Sequence, residues 1–249
     1  MIELDIIHFL IFFFIVLMQT IVGVGTLVLG TPFLLILGYE IIEIISILLP
    51  ISIFTSLSNL LYFKFINKIS LFNLGGEIKK SFFLICVPAI FLGIVLLKNY
   101  HHIINFKILV SVIIFVTLAV KKYYKNNVFE LSSFKKKITL FIIGLIHGVS
   151  NSGGTLLSMF MLHINKNFKN STRFNLTYFY FYLVLFQYLV FIIIFQKLLI
   201  LSLLINLILV VLTGTLLGNF LVKYIEDKKF NFLIEFLAVF SAIFLIVNN

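Results

Sequence analysis

The sequence predicts an all-α polytopic membrane protein made of two inverted-topology repeats, and three observations carry that prediction. The first is composition. Of 249 residues, 62% are hydrophobic and 11% charged, and the mean hydropathy is +1.20. That is too little polar surface to cover a water-soluble domain of this size. The second is an internal echo. Gly23-Val24-Gly25-Thr26-Leu27 returns as Ser152-Gly153-Gly154-Thr155-Leu156, with Gly25 and Gly154 129 positions apart. The stretch from Pro88 through Gly93 to Lys98 is answered by Thr213 through Gly218 to Lys223. The third is the placement of the basic residues, which fall on alternate loops as the chain crosses a membrane. Each repeat reads as a short glycine-broken hydrophobic hairpin followed by three transmembrane helices.

Taken in order, the apolar segments run roughly over 4–22, 26–38, 42–62, 79–97, 103–120, 138–151, 154–164, 172–195, 198–222 and 230–247. Most reach spanning length. Segments 26–38, 138–151 and 154–164 do not, because a helix of about 13 residues covers only ~20 Å of a ~30 Å hydrocarbon core. Short hydrophobic pieces interrupted by glycine, at matching places in two halves, point to broken helices at a binding site. The first repeat covers 1–120, a basic cytoplasmic linker 121–137, and the second repeat 138–249. The N-terminus, Met1-Ile2-Glu3-Leu4-Asp5, is acidic where a cleavable signal is basic, so the first segment is expected to stay in the protein.

Orientation follows from the charges. With loop 121–137 on the cytoplasmic side, loops 63–80, 165–173 and 223–229 share that side, and together they hold sixteen of the nineteen Lys and Arg residues. Lys98, Lys107 and Lys197 remain for the other side. The excess puts both termini outside. The first hairpin then starts and ends outside and the second inside, so the two halves are antiparallel. A net charge of +10 is accounted for by these loops, and no nucleic-acid partner is expected. The expected partners are membrane lipid and a small anionic substrate, and the sequence does not choose between a monomer and a homo-oligomer. Abundant Ile, Phe, Asn and Lys point to an A+T-rich genome, and so to a bacterial source.

The candidate chemistry lies at the breaks. A helix beginning near Thr26 leaves its first N–H groups unpaired. In lipid those groups must find partners in protein, water or ligand, and the positive end of the helix dipole favours an anion. Gly23 and Gly25 allow the chain to turn and a ligand to approach. Ser150, Asn151, Ser152, Gly153, Gly154 and Thr155 offer the same donors plus small polar side chains. With inverted halves, the two tips can meet near the midplane as an anion cradle; glycines there equally suit close helix packing. Ser56 and Asn59 in the third segment, and Gln187 in its counterpart, suit either an oxyanion or interhelical hydrogen bonds. His147, just before the second break, is a candidate for proton-linked transport or for plain packing. Arg173, the single arginine, suits an oxyanion better than lysine does and equally suits an anchor at the cytoplasmic mouth of the eighth segment.

Ionisable residues are informative mostly by their absence. The acidic residues lie at or beyond segment ends, apart from Glu235, so no intramembrane carboxylate relay is expected. Cys86 stands alone, which excludes an internal disulfide and a thiolate metal site. No metal, no cofactor and no catalytic residue is expected. No nucleophile–base pair supports an intramembrane enzyme. The remaining alternative to a permease is a membrane assembly or accessory protein that transports nothing.

The residues also carry a family resemblance. Gly23-x-Gly25-x(6)-Pro32, the arm ending at Gly38, and Thr55-Ser56-Leu57-Ser58 resemble the first repeat of the sulfite exporter TauE/SafE family. Gly144-x(3)-Gly148, Gly153-Gly154 and the Gly218 stretch resemble the second. The resemblance spans nearly the whole chain and implies a bacterial inner-membrane permease for small anions, often sulfite or organosulfonates. Val24 and Thr26 interrupt a break that the family usually makes richer in glycine, and Met161 stands where a proline is usual. Those departures bear on cargo more than on fold.

Overall fold

A computed structural model describes residues 6–23, 26–66, 68, 76–124, 132–165, 168–196 and 201–247. Among the described residues there is no strand. The elements are α1 (Ile6–Val22), α2 (Thr26–Ile36), α3 (Ile41–Phe65), α4 (Gly76–Tyr100), α5 (Phe106–Tyr124), α6 (Ser133–Ser150), α7 (Gly153–Ile164), α8 (Lys169–Phe195), α9 (Leu201–Leu221) and α10 (Asp227–Val247). Among the described residues four stretches are long and apolar enough to cross a membrane: Ile41–Phe65, Gly76–Tyr100, Lys169–Phe195 and Leu207–Tyr224. This is an all-α polytopic membrane protein.

Local chemistry sets the helix ends. α2 stops in a Schellman turn: Gly38 at φ +88° donates to the Leu35 carbonyl (3.3 Å), and Tyr39 to the Leu34 carbonyl (3.1 Å). At the start of α3, the Glu40 N–H donates to Glu43 Oε2 at 3.1 Å. α6 starts five residues before the apolar run at 138, because Ser132 Oγ accepts the Lys135 N–H at 3.4 Å. It is therefore 18 residues long, and the apolar reading cut it short by omitting Lys135, Lys136 and Lys137. α2 and α7 are short, at 11 and 12 residues. Within α4 a π turn covers Phe82–Cys86. Pro88, which has no N–H and a ring that clashes one turn back, gives a physical cause for it.

The two halves exchange partners. α1 packs on α9, and α6, its counterpart, packs on α4. α3 packs on α8, and α5 on α10. The glycines of the second echo make the first two contacts close. A Cβ added to Gly93 of α4 would lie 2.8 Å from the Gly148 Cα of α6. One added to Gly218 of α9 would lie 2.7 Å from the Thr20 Cβ of α1. Ala89 with Gly144, and Gly214 with Val16, repeat the pattern one turn earlier. Small residues of this kind let helix backbones touch where lipid supplies no hydrophobic drive.

Candidate functional site: two helix breaks on one long helix

Both breaks bear on α8. Gly23, at φ +91°, donates to the Gln19 carbonyl at 2.7 Å and ends α1. A Cβ there would meet the Arg173 carbonyl at 3.2 Å and Thr177 Oγ1 at 3.3 Å. Asn151, at φ +60°, donates from its N–H to the His147 carbonyl at 3.0 Å and ends α6. Gln187 Nε2 donates to that same carbonyl at 2.9 Å. Ten residues of α8, about 15 Å of rise, separate Thr177 from Gln187. Asn151 Nδ2 donates to Thr31 Oγ1 of α2 at 3.1 Å, so the second tip touches the first hairpin inside α2.

The first break is closed by a polar network across four helices. α1 leaves its last carbonyls without helical partners. Arg173 Nε donates to the Thr20 carbonyl at 2.9 Å, and Nη2 to Asn219 Oδ1 at 2.5 Å. Asn219 Nδ2 donates to Asn59 Oδ1 at 2.9 Å, and Asn59 Nδ2 to Thr20 Oγ1 at 3.2 Å. Gln19 Nε2 donates to the Ser52 carbonyl at 3.1 Å and to Ser56 Oγ at 2.9 Å. The guanidinium lies over the Phe63 ring, 4.8 Å from its centroid, and no carboxylate pairs with it among the described residues. Arginine's planar fork suits this double duty.

The second break is different. Ser150 Oγ donates to the Ile146 carbonyl at 2.8 Å and lies 2.5 Å from Ser152 Oγ. The Thr155 N–H donates to the Ser152 carbonyl at 3.2 Å. Gly153 brings α7 against His147, whose Cβ would lie 2.5 Å from a Cβ at that glycine. The His147 ring stands edge-on to Tyr180 of α8, with centroids 6.4 Å apart. Both His147 ring nitrogens, Asn151 Oδ1, Thr155 Oγ1 and Gln187 Oε1 are buried without a hydrogen-bond partner. Such orphans are uncommon in a settled interior.

The sequence-predicted residues thus fall into two sets. Gly23, Ser56, Asn59 and Arg173 belong to the first break, and His147, Ser150, Asn151, Ser152, Gly153, Gly154 and Thr155 to the second. Gly25 lies outside the described residues. Thr26 opens α2, with its side chain outside them. Arg173 is 4% exposed, inside the bundle rather than at its mouth, because the helix begins at Lys169 and carries it one turn in. Sequence reasoning missed Gln19, Thr20, Thr31 and Asn219. A usable signal existed for Gln19, which precedes Gly23 by four as His147 precedes Asn151.

Gly23→Ala is expected to destabilise the protein by about 1–2 kcal/mol, since alanine resists a left-handed backbone. The adjoining α8 atoms leave little room to relax. The thermal midpoint of the detergent-solubilised protein should fall by a few degrees. An unchanged midpoint would show that the first break does not need glycine at this position.

The chain matches the family model described as sulfite exporter TauE/SafE over residues 8–245. Among curated proteins nothing matches it, and among solved structures nothing matches it either. With nearly the whole chain matched and an all-α, multi-pass membrane architecture around two helix breaks, the chain belongs to the sulfite exporter TauE/SafE family, a family of membrane transporters.

Proposed function

We propose that this protein is a permease that moves a small oxyanion, sulfite or an organosulfonate among them, across the bacterial inner membrane by alternating access. The observation that carries the reading is Arg173. It is a buried cation with no carboxylate beside it among the described residues, on α8, a helix that both breaks touch. An intramembrane cation is costly unless something answers its charge, and a transiting anion does so. The α7 N-terminus, with Ser152, Gly153, Gly154 and Thr155, adds helix-end donors.

The exchange of partners between halves is what two inverted repeats about an in-plane axis require. In this reading the pairs α1·α9 and α6·α4 rock against α3 and α8 to open each side in turn. In this reading both termini lie outside, which the charge count supports, and no step of the chemistry calls for an enzyme. Proteoliposome flux tests the proposal. Sulfite or a sulfonate is expected to move down its gradient at rates well above protein-free vesicles. A second measurement separates a permease from a non-transporting membrane protein. Ser152→Cys in a Cys86→Ala background should react with a water-soluble thiol reagent, although Ser152 is buried in this conformation. Absence of both flux and labelling would end the permease reading.

A further inference from the structure

The two breaks are built on one plan. Gln19 and His147, Gly23 and Asn151, and Asn59 and Gln187 are corresponding pairs, each 128 positions apart. Gln19 donates to α3, while the ring of His147 faces α8. Asn59 and Gln187 each donate to the hairpin arm of their own half. Yet the two sets are satisfied differently. Both polar atoms of Asn59 have partners, whereas Gln187 Oε1, Asn151 Oδ1, Thr155 Oγ1 and both ring nitrogens of His147 have none. Their residues are neighbours: the Asn151 N–H and Gln187 Nε2 converge on the His147 carbonyl, and Gly153 presses α7 onto His147. Their residues are 0% to 1% exposed.

What is missing is donors. Asn151 can present either end of its amide, because the Thr31 hydroxyl can donate as well as accept. Gln187 cannot. Its Nε2 faces a carbonyl, so Oε1 is fixed as an acceptor. A threonine hydroxyl donates or accepts, and a neutral imidazole has one of each. An oxyanion stripped of all protons brings only acceptors and leaves Gln187 Oε1 unanswered. The other orphaned oxygens, on Ser52, Thr172 and Thr215, are hydroxyls that turn to suit a single water.

Resting on the permease reading above, we propose that the second break binds the oxyanion in a form that still carries an O–H. That O–H is donated to Gln187 Oε1 while Thr155, His147 and the start of α7 hold the charged oxygens. The cargo class is a hydrogen-bearing oxyanion, of which hydrogen sulfite is the simplest sulfur member, and it narrows the cargo proposed above by excluding organosulfonates that carry no O–H. Each such ion carries its proton across, so transport moves acid equivalents without a carboxylate relay. Of the titratable groups on the elements packed against α6, Tyr180 of α8 meets the His147 ring, and Cys86 of α4 lies with its backbone against Gly144, one turn from His147; α8 also carries Tyr178, Tyr182 and Tyr188, and α4 Glu77 and Tyr100. The charged residues of α4, α5, α6 and α8, Lys79, Lys80, Lys98, Lys107, Lys135–Lys137, Lys169 and Arg173 among them, sit in terminal turns or the turn beside them. His163 lies at the far end of α7.

The test uses the full chain in proteoliposomes with two probes: sulfite, and methanesulfonate, a monoanion with no O–H. Sulfite flux is expected to follow the hydrogen sulfite share as pH crosses its second ionisation. At one fixed pH, methanesulfonate should neither move nor compete. Gln187→Met should cut hydrogen sulfite flux by about tenfold or more, the loss expected from one buried hydrogen-bond partner. The wild-type competition result stands even if that variant misfolds. Equal transport of methanesulfonate, or flux that tracks the dianion, overturns the O–H requirement while leaving the anion reading intact and the second break to ordinary water. Failure of both probes to move overturns the permease reading itself, and this inference with it.

Discussion

Gly93→Leu is expected to leave almost no folded protein to purify. A Cβ there would lie 2.8 Å from the Gly148 Cα and 3.0 Å from its carbonyl carbon, and closer still to the Leu145 carbonyl oxygen. Every one of these atoms is backbone, so no rotamer change relieves the clash. Overpacking a core usually costs about 1–3 kcal/mol. This site should exceed that range, because α4 and α6 must move apart along their whole contact. Gly148 meets α4 as tightly from the other side, so Gly148→Leu should behave alike. Phe91→Leu, two positions away on a half-exposed site, is the control and should purify normally. Yield and size-exclusion profile in detergent decide the matter. A sharp peak at wild-type yield for Gly93→Leu would mean that the contact is not a close one.

Arg173→Met is expected to cost about 3–5 kcal/mol. Interhelical hydrogen bonds in membranes average only ~0.6 kcal/mol each, so lost bonding alone does not give that figure. The larger part is what the truncation leaves behind. The Thr20 carbonyl and Asn219 Oδ1 stay buried with no donor, at about 1–3 kcal/mol apiece. Arg173→Lys should recover little, because one ammonium cannot span two oxygens that the fork reaches from separate nitrogens. Asn219→Leu combined with Arg173→Met should be less damaging than the sum of the two singles, since each removes the other's orphan. Thermal unfolding of the four proteins in detergent gives the cycle. Additive losses would show that Arg173 and Asn219 act independently.

The fold was legible in the sequence because membranes impose strong rules. Runs of apolar residues predicted each of the ten described helices, and the errors fell where polar residues belong to helices. α6 was read short because Lys135–Lys137 hid its first turn, and Arg173 was placed at a mouth because its segment seemed to begin there. The site was legible only in part. Glycine and small polar residues between apolar runs marked both breaks. Partners came from across the halves, however, and nothing in the spacing announces that Asn219 will meet Asn59 or that Thr31 will meet Asn151. Gln19 and Gln187 look like isolated polar intrusions until the packing brings each beside a break. The difference between a satisfied first break and an unsatisfied second one depends on which way single atoms point, and a string of residues does not encode that directly.

The partner exchange between halves has a consequence for synthesis. Val16 of α1 meets Gly214 of α9, and the two are 198 positions apart. When α1 leaves the ribosome, the helices that will cover its far face and the Thr20 carbonyl, α8 and α9, have not yet been made. Contacts this remote in sequence form late, after a long loop has closed. α3 covers Gln19 and the Thr20 hydroxyl early, but the Thr20 carbonyl waits for Arg173 of α8 and the face of α1 that meets α9 stays open, so a chain truncated anywhere before α9 presents that face to quality control. α6 has no such wait, because α4 is already in place when it arrives. The order of synthesis thus leaves the first break unfinished until nearly the end and gives the second its main partner helix at once.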